Sequence, residues 1–153
     1  MKDKVARHVR LYHSMLRSKA WKSLDAVARA LYIEISMRYG GPGSNNGRIP
    51  YSVREGAKAL RIGKTKAAEA LQMLQDRGFI QIMTRGGFNR KDRHATEWLL
   101  TEYGNDVTSD LPTHAYERWD PPEVCNSVST RGPAVSSAGP ISPYGRTKAA
   151  RIG

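Results

Sequence analysis

Apolar residues recur at three- and four-residue spacing in three stretches of the first 78 residues, and this spacing predicts amphipathic helices. The first predicted helix covers residues 25–39, with Ser23 as its N-cap. The sequence Gly-Gly-Pro at residues 40–42 cannot continue a helix and is expected to end it. The apolar stripe that should face the core comprises Leu24, Val27, Leu31 and Ile35.

Two more predicted helices follow, separated by a tight turn. Ser52 and Glu55 have the spacing of a capping box, which predicts a helix over residues 53–60. Residues 61–63 form the turn, and the next helix covers residues 64–77 and ends at Gly78. The side chains expected to be buried are Val53, Ala57 and Leu60 on the shorter helix and Ala67, Ala70, Leu71 and Leu74 on the longer one.

Extended segments flank this pair of helices. A short extended piece is expected at residues 48–51, and residues 79–83 and 96–101 have the composition of two paired strands. Two short helices joined by a glycine-containing turn describe a helix-turn-helix, and a helix before it and a hairpin after it give the winged variant. The expected fold class is therefore mainly α with a small β-hairpin, a winged helix-turn-helix domain over residues 23–103 followed by a disordered tail.

The two ends of the chain differ from this domain. Residues 1–22 are expected to form an N-terminal arm with a short strand or helix, or alternatively a dimer contact. Residues 104–153 are rich in Pro, Gly and Ser, and a short unit with Gly and Pro recurs from Val128 onward, so a flexible tail is predicted there. Within it, Tyr116 and Trp119 are interpreted as a stretch of transient order, with docking on the domain or on a partner as alternatives.

Charge is the strongest signal in the composition. The chain has 25 Lys and Arg against 14 Asp and Glu, a net charge of +11. Residues 1–103 hold 20 basic and nine acidic side chains, whereas residues 104–153 hold five of each. The whole excess lies on the periodic part of the chain, which favours nucleic acid as a partner, with acidic membrane surfaces and acidic proteins as alternatives.

Several function classes find no support in the sequence. No apolar run approaches the roughly 18 residues that span a bilayer, and the polar N-terminus lacks the apolar core of a secretory signal. The one cysteine, Cys125, excludes an internal disulfide framework, and the four histidines lack metal-ligand spacing. We therefore expect a cytoplasmic, nucleoid-associated protein that is not an enzyme, has no catalytic residues and uses neither a cofactor nor a metal.

Short motifs in the first two thirds of the chain resemble the winged helix-turn-helix DNA-binding proteins of bacterial phages, plasmids and integrated elements. The resemblance covers about residues 8–103 and rests on RALYIE at 29–34, NNGRI at 45–49, SVRE at 52–55, GFI at 78–80, RGGF at 85–88 and ATEW at 95–98. It implies DNA binding and leaves the purpose open, because such domains serve transcriptional regulators, replication-origin binders and excision factors. Gly63 replaces the usual Ser N-cap, and Glu69 stands where an Arg often projects toward DNA.

The helix over residues 64–77 is the predicted recognition helix, because such a helix enters the major groove with its N-terminal half. Thr65 and Gln72 suit contacts with base edges, whereas lysines suit phosphates. Glu69 either accepts a hydrogen bond from the amine of cytosine or indicates a helix that sits shallower in the groove. The positions expected to face DNA are Lys64, Thr65, Lys66, Ala68, Glu69 and Gln72.

A second set of DNA contacts is expected from basic residues around the recognition helix. Four cations crowd the loop between the two strands, and arginines in such a wing commonly enter the minor groove. Arg48 and Arg54 lie close to the start of the second predicted helix of the domain, near the expected phosphate path. The alternatives are a loop that only confers solubility and solvated helix side chains. The four wing residues are Arg85, Arg90, Lys91 and Arg93.

These features together predict sequence-specific binding of double-stranded DNA. Transcriptional regulation of a mobile genetic element is the first expected role, and replication-origin binding is the second. Such proteins usually bind as homodimers to half-sites roughly 34 Å apart, and the tail would serve as a linker or recruit a protein partner. A winged-helix module that binds other proteins through its third helix or wing is the rival interpretation, and Glu69 suits it.

Overall fold

Helices and short strands alternate along the part of the chain that the structure, a computed structural model, describes. The description covers residues 6–88 and 93–122, apart from the side chains of Phe88 and Arg93. Five α-helices occur in these residues: α1 (His13–Arg17), α2 (Lys19–Ser23), α3 (Ala26–Ser36), α4 (Val53–Leu60) and α5 (Lys64–Asp76). The strands are β1 (Ile49–Pro50), β2 (Ile80–Thr84), β3 (Gly87–Phe88), β4 (Arg93–His94) and β5 (Glu97–Leu100), and a 3-10 helix follows at Ala115–Arg118.

Three of the strands form an antiparallel sheet with β5 at its centre. Trp98 of β5 lies opposite Ile49 of β1 on one side and opposite Ile82 of β2 on the other. Strands β3 and β4 pair with each other as a separate two-stranded ribbon between β2 and β5. Helices with a small antiparallel sheet were expected. The fold is, however, mixed rather than mainly α with a single hairpin, because β1 adds a third strand to the sheet.

The predicted helix pair matches the structure closely. Helix α4 has the predicted bounds, and its capping box is formed, since Ser52 Oγ accepts a hydrogen bond from the Glu55 amide at 3.3 Å and Glu55 Oε2 accepts one from the Ser52 amide at 2.8 Å. Helix α5 ends one residue before the prediction, and its four predicted inward residues are all buried. On α4, Ala57 is buried as expected, whereas Val53 and Leu60 are only partly buried.

The predicted N-cap of the first long helix is wrong by two residues. Asp25, not Ser23, is its N-cap, and Asp25 Oδ1 accepts a hydrogen bond from the Ala28 amide at 2.7 Å. Ser23 instead ends α2, where its hydroxyl donates to the Ala20 carbonyl at 2.7 Å. The chain is extended at Leu24, whose side chain enters the core, and this break separates the two helices.

The core is built around three buried aromatic rings. Trp21, Tyr32 and Phe79 pack edge to face, with ring centroids 5.6 to 5.7 Å apart. Because Trp21 belongs to α2, the predicted arm at residues 1–22 contributes two short helices to the core over its described part. This packing stabilises the orientation of α3 against α5 and the sheet.

The predicted tail begins later than residue 104. Tyr116 is buried and its ring stacks on Phe79 at 5.0 Å, and the Arg77 guanidinium lies 5.2 Å from the centroid of Trp119. Residues 104–122 therefore pack on the domain, because two aromatic side chains gain buried contacts there. The first compact unit accordingly ends at Pro122. The recurring units from Val128 onward lie outside the described residues.

Candidate nucleic-acid interface

The turn between α4 and α5 leaves the first turn of α5 open. Arg61 ends α4 in the left-handed conformation, with φ of 54°, and the Ile62 amide donates to the Ala57 carbonyl at 2.9 Å. Gly63 is the N-cap of α5, as predicted, and provides no side-chain hydrogen bond. The free amides at such a helix start favour an anionic partner.

An open cleft of about 780 Å³ joins this helix start to the hairpin. Its lining comes from three segments that are far apart in the sequence: Ser52 to Arg54 before and within α4, Lys64 at the start of α5, and the base of the β3–β4 ribbon. The ribbon contributes Gly86, Gly87, His94, Ala95 and Thr96. The fold therefore places two of the predicted DNA-binding residues, Arg54 and Lys64, on the same cleft.

Hydrogen bonds hold the base of the ribbon in place. The Gly86 amide donates to Thr96 Oγ1 at 3.2 Å, and the His94 ring donates from Nε2 to the Arg85 carbonyl at 3.0 Å. A Cβ atom at Gly86 would lie 3.0 Å from the Thr96 amide nitrogen, so this backbone approach needs a residue without a side chain.

Arg38 holds the opposite wall in place, a role that no sequence motif marked. Its guanidinium donates to the Pro50 carbonyl at 2.7 Å and to Glu55 Oε1 at 2.9 Å, and it lies 4.7 Å from the ring centroid of Tyr51. These contacts join the end of α3 to the junction of β1 and α4. Arg38 is therefore a positioning residue for the segment that carries Ser52 and Arg54.

The predicted recognition residues are all exposed, but they do not act as one group. Lys64 lines the cleft, whereas Lys66 lies against α3, with its ammonium 3.0 Å from Asp25 Oδ2. The contact with Asp25 raises the pKa of Lys66. The pKa of Asp25 is lowered, first by the hydrogen bond from the Ala28 amide and then by Lys66. Lys66 is thus already paired with Asp25 of its own domain, whereas it was expected to contact a DNA phosphate. Thr65 and Ala68 are exposed on the same turns.

The second half of the outward face of α5 is acidic. Gln72 donates from Nε2 to Asp76 Oδ1 at 2.7 Å. Both residues line a shallow groove of about 490 Å³, which they share with Ala68, Glu69, Met73 and Arg77. Glu69 therefore belongs to this groove rather than to the cleft that contains Lys64. A carboxylate face of this kind repels phosphates, so α5 presents a cationic start and an acidic second half.

The predicted wing is described only in part. Arg85 is exposed directly after β2, and Arg93 begins β4. Arg90 and Lys91 lie outside the described residues. Arg48 is exposed directly before β1, and it does not line the cleft.

Of the described helices, none combines the length and the apolar character that a bilayer crossing requires. Among residues 6–88 and 93–122, no three His, Cys, Asp or Glu side chains come together as metal ligands. No protein-family profile, curated protein or solved structure matches this chain.

Proposed function

We propose that the chain is a winged helix-turn-helix protein that binds double-stranded DNA through the cleft between α4, the start of α5 and the β3–β4 ribbon. The order α3, β1, α4, α5, β2, ribbon, β5 supports this proposal, since it is the order in which that fold uses its elements. The observation that carries it is the convergence of Arg54, Lys64 and the ribbon base on one cleft. None of the described residues that line it has a carboxylate.

The first turn of α5 is the part that fits the major groove best. Lys64 and the open amides after Gly63 would contact phosphates, and Thr65 and Ala68 would face base edges. Gln72 is less suited to contact a base edge than the sequence suggested, because its side-chain amide already donates a hydrogen bond to Asp76. The ribbon would lie along the neighbouring minor groove, where Arg85 and the wing cations contribute.

Transcriptional regulation of a mobile genetic element is the role that we propose for this binding, with origin recognition as the alternative. Support for both comes from the family resemblance of the sequence motifs. Binding as a homodimer would match half-sites about one helical turn apart. The sites selected from random duplex would separate the two roles, since a regulator selects its own promoter and an initiator selects iterated origin repeats.

A salt titration of duplex binding tests the proposal. Anisotropy of a short labelled duplex should give log affinity that falls with log salt at a slope of about −0.9 per phosphate contact. The variants Arg54→Ala and Lys64→Ala should each weaken binding to all sequences and reduce the slope by about one contact. Arg118→Ala is the matched control, because the 3-10 helix that holds Arg118 packs beside the far end of α5, where Gly78 meets Ala115.

A protein partner is the second candidate function, and the acidic groove on α5 favours it. The carboxylates of Glu69 and Asp76 outnumber the single guanidinium of Arg77 in that groove, and this negative balance suits a basic protein segment. Absence of duplex binding at low salt would overturn the DNA proposal and leave this candidate.

A further inference from the structure

A second open cleft, of about 480 Å³, lies at the other end of β5. Thr96, in the first cleft, directly precedes this strand, whereas Tyr103, in the second cleft, follows it. Four strand residues alone span roughly 13 Å, so a single phosphate group does not contact both clefts. The second cleft is therefore a site separate from the first.

Three tyrosines form the aromatic side of this second cleft. Tyr39 and Tyr103 stack with their ring centroids 4.5 Å apart, and Tyr12 lies beside them with 38% of its surface exposed. Burial raises the pKa of Tyr39 to about 12, and the oxygens of Asp106, Tyr103 and Tyr12 contribute to this increase. Within the described residues, none of the three phenol hydroxyls has a hydrogen-bond partner.

The other side of the cleft is cationic. Arg7 and Arg10 are exposed and line it together with His8. The Arg10 Nε donates to His8 Nε2 at 3.1 Å, while His8 Nδ1 lies 3.1 Å from the Ala6 carbonyl oxygen. None of the described lining residues is an acid.

The Asp106 carboxylate, whose charge acts on the Tyr39 phenol, is held by backbone amides. It accepts hydrogen bonds from the amides of Gly43 at 2.8 Å, Ser44 at 3.2 Å and Asn46 at 2.8 Å. Asp106 itself does not line the cleft. The cleft therefore offers stacked rings, unpaired hydroxyls and two guanidinium groups.

We propose that this cleft binds a nucleotide, with the base against the Tyr39 and Tyr103 rings and the phosphate on Arg7 and Arg10. Aromatic side chains stack on any base, and guanidinium groups match phosphate oxygens in a bidentate manner. The cleft volume lies in the range of roughly 300–1,000 Å³ that small-ligand sites occupy. The nucleotide is either a free mononucleotide or one residue of a single strand, because both present the same base and phosphate.

The test measures binding to the full chain with three probes: AMP, inorganic phosphate and a short single-stranded oligodeoxyadenylate. AMP or the oligonucleotide should bind, and Arg10→Ala should weaken that binding roughly tenfold through loss of the phosphate contact. Tyr103→Leu should weaken the binding of the nucleotide more than the binding of inorganic phosphate. Arg118→Ala, at a residue that lines neither cleft, is the matched control and should leave nucleotide binding unchanged.

Each outcome decides the proposal. Binding of AMP assigns the site to a free nucleotide, and binding of the oligonucleotide alone assigns it to a single strand. Lack of binding by either probe at millimolar concentration overturns the proposal, as does nucleotide binding that is unaffected by Arg10→Ala. Equal affinity for phosphate and AMP would show that the base does not stack on the tyrosines, and it would overturn the proposed nucleotide site. Because Arg10 lies outside the first cleft, duplex binding that survives Arg10→Ala separates this site from the proposed function.

Discussion

The ammonium of Lys66 lies 3.0 Å from Oδ2 of Asp25, so the first turn of α5 is joined to the first turn of α3. Lys64, two residues earlier, lines the open cleft instead. Residues two positions apart on a helix point in different directions, and here that difference separates a lysine available to a ligand from a lysine engaged inside the domain.

This separation predicts unequal effects of two otherwise similar substitutions. Lys64→Ala should weaken duplex binding roughly three- to tenfold, as expected for the loss of one phosphate contact. Lys66→Ala removes the same formal charge but should change affinity by less than roughly twofold, because an exposed ion pair contributes little to a distant contact. Anisotropy at one fixed salt concentration compares the two variants, and equal losses would show that Lys66 also reaches DNA.

The Asp25→Asn variant tests what the charge of Asp25 contributes to the fold through the Ala28 amide and Lys66. Asn remains a good N-cap, so the variant loses mainly the negative charge beside Lys66. The pKa of Asp25 is lowered in the folded state, so the charge stabilises the fold above its unfolded pKa of about 3.9, and this contribution disappears as pH falls through the lower folded pKa. Urea midpoints of the two proteins should therefore differ at neutral pH and converge in acid. A difference that persists unchanged below both pKa values would contradict this assignment.

Gly78 should tolerate no side chain. Its φ is +76°, and a Cβ atom there would lie 2.8 Å from the Ala115 carbonyl carbon and 2.9 Å from the Tyr116 amide nitrogen. Gly78→Ala should lower the free energy of unfolding by about 2 kcal/mol through backbone strain and this contact. Gly63→Ser is the control: φ is −68° and no heavy atom lies within 4 Å, so the new cap should stabilise by a few tenths of a kcal/mol. Similar urea midpoints for both variants would refute the packing described for residues 104–122.

Residues 104–122 should behave as part of the domain. Removing the Tyr116 ring uncovers Phe79 and leaves a cavity in the core, so Tyr116→Ala should lower the free energy of unfolding by about 3 kcal/mol. Leu111→Ala provides the comparison, because 84% of the Leu111 surface is exposed and little packing is lost. Chemical denaturation followed by tryptophan fluorescence measures both. A Tyr116 variant as stable as the Leu111 variant would mean that the segment contributes no core packing.

Local signals in the sequence were enough to predict the helix pair and its connection. The capping box of Ser52 and Glu55 is a contact between residues three apart, so the sequence alone located α4. Ser23 and Asp25 both suit an N-cap, and only the burial of Leu24 between them decides which one is used. Tyr116 packs on Phe79, a residue distant from it in the sequence. The composition of residues 104–122 therefore did not predict this contact.

The sequence predicted which types of residue form the candidate site, but it did not predict which of them lie together. Lys64 and Lys66 look equivalent in the sequence, and Asp25, about 40 residues away, distinguishes them. Arg38 is one of 25 basic residues, so nothing local marked it as the residue that holds the cleft wall. Exposure of the recognition helix followed from its periodicity, whereas the division of its outward face into cationic and acidic halves required the folded arrangement.

Backbone amide chemical-shift mapping during titration with a short duplex at low salt locates the bound face residue by residue. We expect the largest chemical-shift changes at Arg54, Lys64 and Gly86, with small changes over residues 69–76 and 104–122. Duplex binding that instead shifts the amides of residues 69–76, while those of Arg54, Lys64 and Gly86 stay in place, would contradict it.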